Sequence, residues 1–388
     1  MVTIQSKLPN LPTTIFSTMT LLANQHAAIN LGQGFPDFDM DPILQDLVYK
    51  AMKDGNNQYA NSNGDPALRK ILAEKIGKIY QQSLDPDHEI TITPGGTYAI
   101  SNALTSILRA GDEVILFEPC FDSYIPNIRI CGAVPIRIPL NFPDYSIPWE
   151  IVREKISDKT RMILINSPHN PTGSILTEDD IASLRKLVEG SNILIMSDEV
   201  YEHLVFDKKK HLSILQYPDL FARSFVAFSL GKVFHCTGWK VGYVVAPPFL
   251  MKEFRNHHQF NVFSVHSAVQ VGMAEYLKNE QVYLQLPALF EKKRDLLLKE
   301  MIGTEFHPLE SYGSYFQCFT FPEDIQMNSM EYAVFLIKTK GVATIPVSAF
   351  YEDGQDNRVL RFCFAKKEET LLEASKRLKQ RTTYSKLK

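Results

Sequence analysis

The chain is expected to be an α/β protein, with a mainly parallel central sheet sandwiched by helices and a second, smaller α+β domain. Two observations predict it: short β-rich runs alternate with helix-length amphipathic stretches through the middle, and the pattern changes after a long helical region. Taken in order, a strand is expected at 89–93, a helix at 97–108 and, after the turn Gly111-Asp112, a strand at 113–117. Further strands are expected at 134–138, 161–166, 193–197, 224–229 and 241–246. A helix at 178–189 carries the start signal Thr177-Glu178-Asp179-Asp180. In such a sheet the strand ends carry the ligand, and the polar turns fall at those ends. One long helical region is then expected from Ser267 to about Met301, followed by strands at 314–319 and 359–364 and helices at 330–338 and 368–377. The expected domains are a large one at 46–280, a small one at 281–388, and an N-terminal segment at 1–45 that belongs with the small one.

Composition narrows the function. With 388 residues, 45% of them hydrophobic, the chain can bury a large core and form two domains. A formal charge of -3 and the lack of a basic run argue against nucleic acid as a partner. The apolar stretch from Val241 to Met251 is short and broken by Pro247-Pro248, so no membrane span is expected. The N-terminus lacks the apolar core of a signal peptide. Cys120, Cys131, Cys236, Cys318 and Cys363 are scattered without paired spacing and read as reduced cytoplasmic thiols. His257 and His258 are adjacent, so on a helix their rings diverge; no metal site is expected.

The chemistry concentrates in short motifs. Ser229-Leu230-Gly231-Lys232 stands just ahead of Gly238-Trp239-Lys240, and Ser197-Asp198-Glu199-Val200-Tyr201 ends the apolar run before them. An isolated lysine is ordinarily a solvated surface group, but Lys232 follows a buried strand. The like charge of Lys240 is expected to lower its amine pKa towards neutrality, and only a neutral amine attacks a carbonyl. Asp198 reads equally as a turn or cap residue, and Tyr201 as packing. Together an amine, a hydroxyl, a second cation and a buried carboxylate are what a protein needs to hold pyridoxal 5'-phosphate. Lys232 would condense with the aldehyde, Asp198 would keep the pyridine nitrogen protonated, Tyr201 would donate to the ring oxygen, and Ser229 and Lys240 would hold the phosphate.

Four other sites support this reading, each with an ordinary alternative. In Thr93-Pro94-Gly95-Gly96-Thr97 the glycines allow close backbone approach, and the amides of a helix start favour an anion; a plain tight turn would look the same. Asn170, after Asn166 in Asn166-Ser167-Pro168-His169-Asn170-Pro171, could bond the ring oxygen if an Asn-Pro bond held cis aimed it. Phe121 could stack on the ring or simply pack in the core. Arg361 sits in an apolar strand pattern, where a charge must be paired; a substrate carboxylate would satisfy it, and so would an internal salt bridge.

The order of these motifs along the chain resembles the class I aminotransferases of fold type I, the pyridoxal-phosphate enzymes, over nearly the whole length. It is most similar to the methionine and kynurenine (glutamine-transaminase K-like) branch, through Asn30-Leu31-Gly32-Gln33-Gly34-Phe35-Pro36, Ser197-Asp198-Glu199-Val200-Tyr201 and Ala343-Thr344-Ile345-Pro346. The opening Ser6-Lys7-Leu8-Pro9, with Thr13-Thr14-Ile15-Phe16, looks most like bacterial methionine aminotransferases. The resemblance implies a homodimer in which Tyr59 reaches the neighbouring subunit's phosphate. It implies that Gly96, Thr97, Ser229 and Lys240 form the phosphate cup, and that Gly34, Asn166 and Arg361 clamp the substrate carboxylate. It makes Phe16, Phe263 and the stretch Tyr312 to Phe316 candidates for the side-chain pocket. Where most relatives have arginine after Gly-Trp, this chain has Lys240, as in the kynurenine branch. The implied activity is transfer of the amino group of methionine, kynurenine or another aromatic or large neutral amino acid to a 2-oxo acid, in ping-pong half-reactions. A lyase acting on cysteine conjugates or cystathionine would use the same residues. A Rossmann oxidoreductase is disfavoured, because Gly32-x-Gly34 lacks a third glycine.

Overall fold

The computed structural model describes residues 2–9, 11 and 13–380. Positions 1, 10 and 12 of the expected N-terminal segment, and 381–388 of the expected C-terminal domain, lie outside the described residues. In chain order the strands are β1 (Ile29–Asn30), β2 (Ile90–Thr93), β3 (Glu113–Glu118), β4 (Val134–Pro139), β5 (Thr160–Asn166), β6 (Leu194–Asp198) and β7 (Ser224–Phe228). They continue with β8 (Gly242–Val245), β9 (His307–Pro308), β10 (Phe316–Thr320), β11 (Val342–Ala343), β12 (Ile345–Pro346) and β13 (Val359–Cys363).

β2 to β8 make a seven-stranded sheet in the order β2-β8-β7-β6-β5-β3-β4. All its pairings are parallel except those of β8, which is antiparallel to both β2 and β7. Its central strands are apolar on both faces because helices cover both. Met162 and Leu164 of β5 enter one core cluster with Met196, Phe225 and Ala227, whereas Ile163 and Ile165 enter the other with Ile195, Val226 and Phe228. This is the two-residue period of a strand buried from both sides. Helix Gly96–Ile107 packs across β6, β7 and β8 through Ala99, Ile100, Ala103 and Leu104.

The register sets the site. Asn166 at the end of β5 pairs with Asp198 at the end of β6, and Asp198 pairs with Ala227 of β7. Three functional segments therefore leave the sheet side by side at its carboxyl edge.

A second sheet runs β12-β13-β10-β9, with Arg361 of β13 opposite Cys318 of β10 and Ile345 of β12. β1 pairs in parallel with β11, Ile29 opposite Val342, so the N-terminal strand is bound to the C-terminal part of the chain. Helix Ile15–Gln25 packs on helix Ser329–Lys340 and on β11. The fold class is as expected. One helical stretch is not: 267–301 is divided into Ser267–Tyr276, Gln281–Leu284 and Leu286–Met301. Asn279 Oδ1 caps the N–H of Gln281, and Pro287 starts the last helix, where its missing N–H costs nothing. Helices Pro42–Lys53 and Pro66–Tyr80 begin the same way, each with an aspartate cap before the proline. The five cysteines are all free. Among the described residues no helix is long and apolar enough to cross a membrane.

Candidate active site

The strand β7 ends one residue earlier than the sequence suggests, because Ser229 starts a turn of helix, Leu230–Val233. Its Oγ accepts the N–H of Lys232 at 3.2 Å. This turn aims Lys232 into the molecule, where its Nζ donates to the carbonyl of Gly34 at 2.9 Å. The hydroxyl of Tyr315 donates to the same carbonyl at 3.0 Å. Burial lowers the Lys232 amine to about 8; Cys363 opposes that shift, and Arg361 and Lys240 add to it. Lys240 thus acts as expected but is a minor cause, since losing water outweighs a neighbouring charge.

Asp198 closes β6 and is buried. Its carboxylate accepts the Tyr124 hydroxyl at 2.5 Å and the Val200 N–H at 3.2 Å. Burial raises its pKa to about 6, and those two hydrogen bonds restrain the rise. Tyr124 was legible only in part: it lies three residues after Phe121 in a motif read for its stacking ring. A carboxylate buried at a strand end needs a donor, and that requirement is the signal for it.

From the end of β5, Asn166 Nδ2 donates to the backbone oxygen of Asp198 at 2.8 Å, and its Oδ1 accepts the N–H of Asn170 at 2.8 Å. The Asn170-Pro171 bond is cis. Asn170 Oδ1 accepts from Arg361 Nη1 at 2.7 Å, so Asn170 offers a ligand its amide N–H groups. Arg361 Nη2 donates to the Gly32 carbonyl at 2.8 Å, and the guanidinium carbon lies 3.8 Å from the Phe316 ring centroid and 5.3 Å from that of Phe16. Arg361 is 0% exposed, its Nε has no partner, and among the described residues no carboxylate lies within ion-pair distance of it. Burial lowers its pKa. An unpaired buried cation is expensive, so this arrangement calls for an anionic ligand.

Helix Gly96–Ile107 starts with Gly95 at φ 84° and no side chain capping its first amides. A Cβ at Gly95 would stand 3.6 Å from Lys240 Nζ, and one at Gly96 would stand 3.7 Å from the Ser229 Cβ. Lys240 is itself in the left-handed region at φ 51°. Free amides, an ammonium and the hydroxyls of Ser229 and Thr97 therefore converge on one spot, a ready anion site.

All these groups line one cavity of about 310 Å³: Phe16, Gly34, Gly95, Gly96, Thr97, Phe121, Asn166, Asn170, Asp198, Tyr201, Ser229, Lys232, Lys240 and Arg361. Tyr201 packs edge-on against Tyr315 at 5.0 Å. Gln33, Phe35, Ile100, Val200 and Thr237 also line it: three are apolar, and the amide of Gln33 and the hydroxyl of Thr237 are too common in turns to carry a chemical signal. Two expected residues are elsewhere. Tyr59 and Phe263 form an edge-to-face pair at 5.1 Å, 81% and 41% exposed, away from this chain's cavity. Ser264 Oγ and Ser267 Oγ donate to the Ala60 and Gln58 carbonyls, holding the Phe263 loop against the Tyr59 segment on the surface. Tyr312 lines a neighbouring cavity, while Phe316 of the same stretch lines this one.

An amine on one side, a buried carboxylate on another and an anion cradle at a helix start are the donor set pyridoxal phosphate requires, and these residues fit it. Comparison with known proteins agrees. Residues 27–378 match the family model for aminotransferase class I and II. The chain is 41% identical to the methionine aminotransferase of Escherichia coli over 377 residues, covering 97% of this chain and 98% of that one. It is 32% identical to the kynurenine–oxoglutarate transaminase 3 of Rattus norvegicus over 396 residues, covering 94% and 87%. The solved N-succinyldiaminopimelate aminotransferase of Mycobacterium tuberculosis superposes with a TM-score of 0.92 at 34% identity, covering 97% of this chain and 99% of that one. The site geometry and these matches lead to one conclusion: the chain belongs to the class I and II aminotransferase family and is a transaminase that depends on pyridoxal phosphate.

Proposed function

We propose that this enzyme takes the amino group of methionine or of an aromatic or other large neutral amino acid, kynurenine included, and passes it to a 2-oxo acid. The observation that carries this is Arg361, a fully buried guanidinium with no carboxylate in ion-pair distance among the described residues, walled by Phe16 and Phe316. One carboxylate satisfies it, and the aromatic walls favour an apolar side chain beyond. Lys232 and Lys240 are the other cations lining the cavity, and both face the cofactor end. The high similarity to a methionine aminotransferase supports the same donor class.

When bound, pyridoxal phosphate supplies an electrophilic carbon and a sink for the electron pair left when Cα loses its proton. Gly95, Gly96, Thr97, Ser229 and Lys240 would hold its phosphate, Asn170 and Tyr201 would donate to its ring oxygen, and Phe121 would stack on the ring. Asp198 holds the proton on the pyridine nitrogen. Lys232, whose amine titrates at about 8, is neutral in an appreciable fraction near pH 7 and serves as the base that takes and returns the Cα proton. Arg361, Asn166 and the Gly34 backbone orient the carboxylate. The same residues serve both half-reactions in ping-pong order. The enzyme acts as a homodimer in which exposed Tyr59 reaches the neighbouring subunit's phosphate, and it resides in the cytoplasm, in keeping with its free thiols. The chain divides as 1–45 and 281–388 against 46–280, which the β1–β11 pairing supports.

A matrix of amino donors against 2-oxo acid acceptors on purified enzyme tests the reading; activity with aspartate and glutamate above that with methionine and phenylalanine would overturn it. Arg361→Ala should raise KM for amino acids about 100-fold with little change in cofactor affinity, as expected for loss of a buried charge-paired contact.

A further inference from the structure

Four charged side chains outside the cavity tie the loop that follows Phe350 to the central sheet beside it. Glu118, the last residue of β3, is 2% exposed; its carboxylate accepts the N–H of Glu352 at 2.9 Å and lies 3.7 Å from Arg137 of β4. The Glu352 carboxylate takes Arg137 Nε at 3.0 Å and also pairs with Arg129 of helix Tyr124–Ile130. Next to this cluster the N–H of Cys120 donates to the Phe350 carbonyl at 3.1 Å. Phe350 ends the turn Val347–Phe350 that follows β12. Its ring centroid is 5.2 Å from the Arg361 guanidinium carbon and 5.8 Å from the ring of Phe16.

We propose that Glu118, Arg129, Arg137 and Glu352 are positioning residues for the substrate site: they hold the 350–352 segment on the edge of the central sheet and so keep the Phe350 ring against Arg361. None of the four lines the cavity, so none touches substrate or cofactor. Their effect passes through Phe350, which with Phe316 keeps water from Arg361. A guanidinium shielded from water grips a carboxylate more strongly than a hydrated one. Buried Glu118 fixes the backbone of Glu352, while the half-exposed pairs of Glu352 with Arg129 and Arg137 hold its side chain. Loosening the cluster thus weakens the hold on substrate carboxylates, amino acid and 2-oxo acid alike, and leaves the phosphate end alone.

Glu352→Gln and Arg137→Met test this, since both positions are partly exposed and tolerate change. KM for amino acid and for 2-oxo acid should each rise about fivefold, the scale of partly exposed ion pairs, with kcat within about twofold. Affinity for pyridoxal phosphate, followed by the absorbance of the titrated cofactor-free protein, should not move, and Arg137→Lys should restore most of the lost KM. Unchanged KM, or kcat and cofactor affinity falling in step with KM, overturns the proposal. The idea rests on Arg361 holding the carboxylate. KM unmoved in Arg361→Ala overturns that assignment; KM raised there but unmoved in Glu352→Gln overturns this proposal alone.

Discussion

Burial sets the protonation of Lys232 and Asp198, the two side chains to which the proposed chemistry is assigned. Asp198 has a folded pKa of about 6, above the ordinary 3.8, chiefly because its charged form loses water. A raised acid pKa supports the fold only at low pH; the contribution is present below about 4 and is lost as pH rises through about 6. The cofactor-free protein at neutral pH therefore carries a destabilising charge that the pyridinium would compensate. Asp198→Asn should stabilise the cofactor-free protein at pH 7.5 by up to about 3 kcal/mol, with the gain fading as pH falls from about 6 towards 4, in denaturant unfolding. The same variant should bind cofactor more weakly. Lys232→Ala should cut kcat by about 10²–10⁴-fold or more and abolish the yellow band that borohydride reduces. That these two residues share a cavity was legible because each stands in a short polar motif after an apolar strand. Tyr124 was legible only in part: a buried Asp198 calls for a donor, but nothing in a tyrosine's sequence neighbours shows that its hydroxyl will meet a carboxylate 74 positions later.

Elements bring these groups together by where they stop. β5, β6 and β7 end in register, so Asn166, Asp198 and Ser229 open onto one edge, and helix Gly96–Ile107 points its uncapped amides at that edge. The close approach depends on Gly96: a Cβ there would come within 2.6 Å of Val200 Cγ1, which itself lines the cavity. Gly96→Ala should therefore displace Val200 and the first turn of the helix, lowering cofactor affinity about tenfold and stability by about 1–3 kcal/mol, read by cofactor titration and unfolding midpoint. The strands and most boundaries follow from residue type. The break of 267–301 into three helices follows from Asn279 and Pro287, whose capping and first-turn preferences a reading of amphipathic length passes over.

At the scale of the molecule, one buried ion pair joins layers on the face of the sheet. Lys75 of helix Pro66–Tyr80 bonds Glu202, just past β6, at 2.6 Å, and Tyr80 and Tyr243 also donate to that carboxylate. Burial pushes Glu202 up, but Lys75, His203 and the Tyr80 hydroxyl outweigh it and hold it down to about 2. Lys75→Met should destabilise the protein by about 3–5 kcal/mol in urea unfolding at pH 7, because it leaves a buried charge alone. Unpaired, Glu202 would titrate higher, so the deficit should shrink at pH 5.

The sequence by itself determined the α/β class and the cofactor, and named most of the polar side chains that line one cavity, because apolar periodicity and scarce reactive side chains are local properties. Tertiary structure alone decided which groups share the cavity. It brought Tyr124 to Asp198, set Phe350 against Arg361 and left Tyr59 and Phe263 outside. It also decided that burial, more than the neighbouring Lys240 charge, lowers the Lys232 amine. Contact and desolvation depend on how distant segments pack, and no short stretch of residues encodes that.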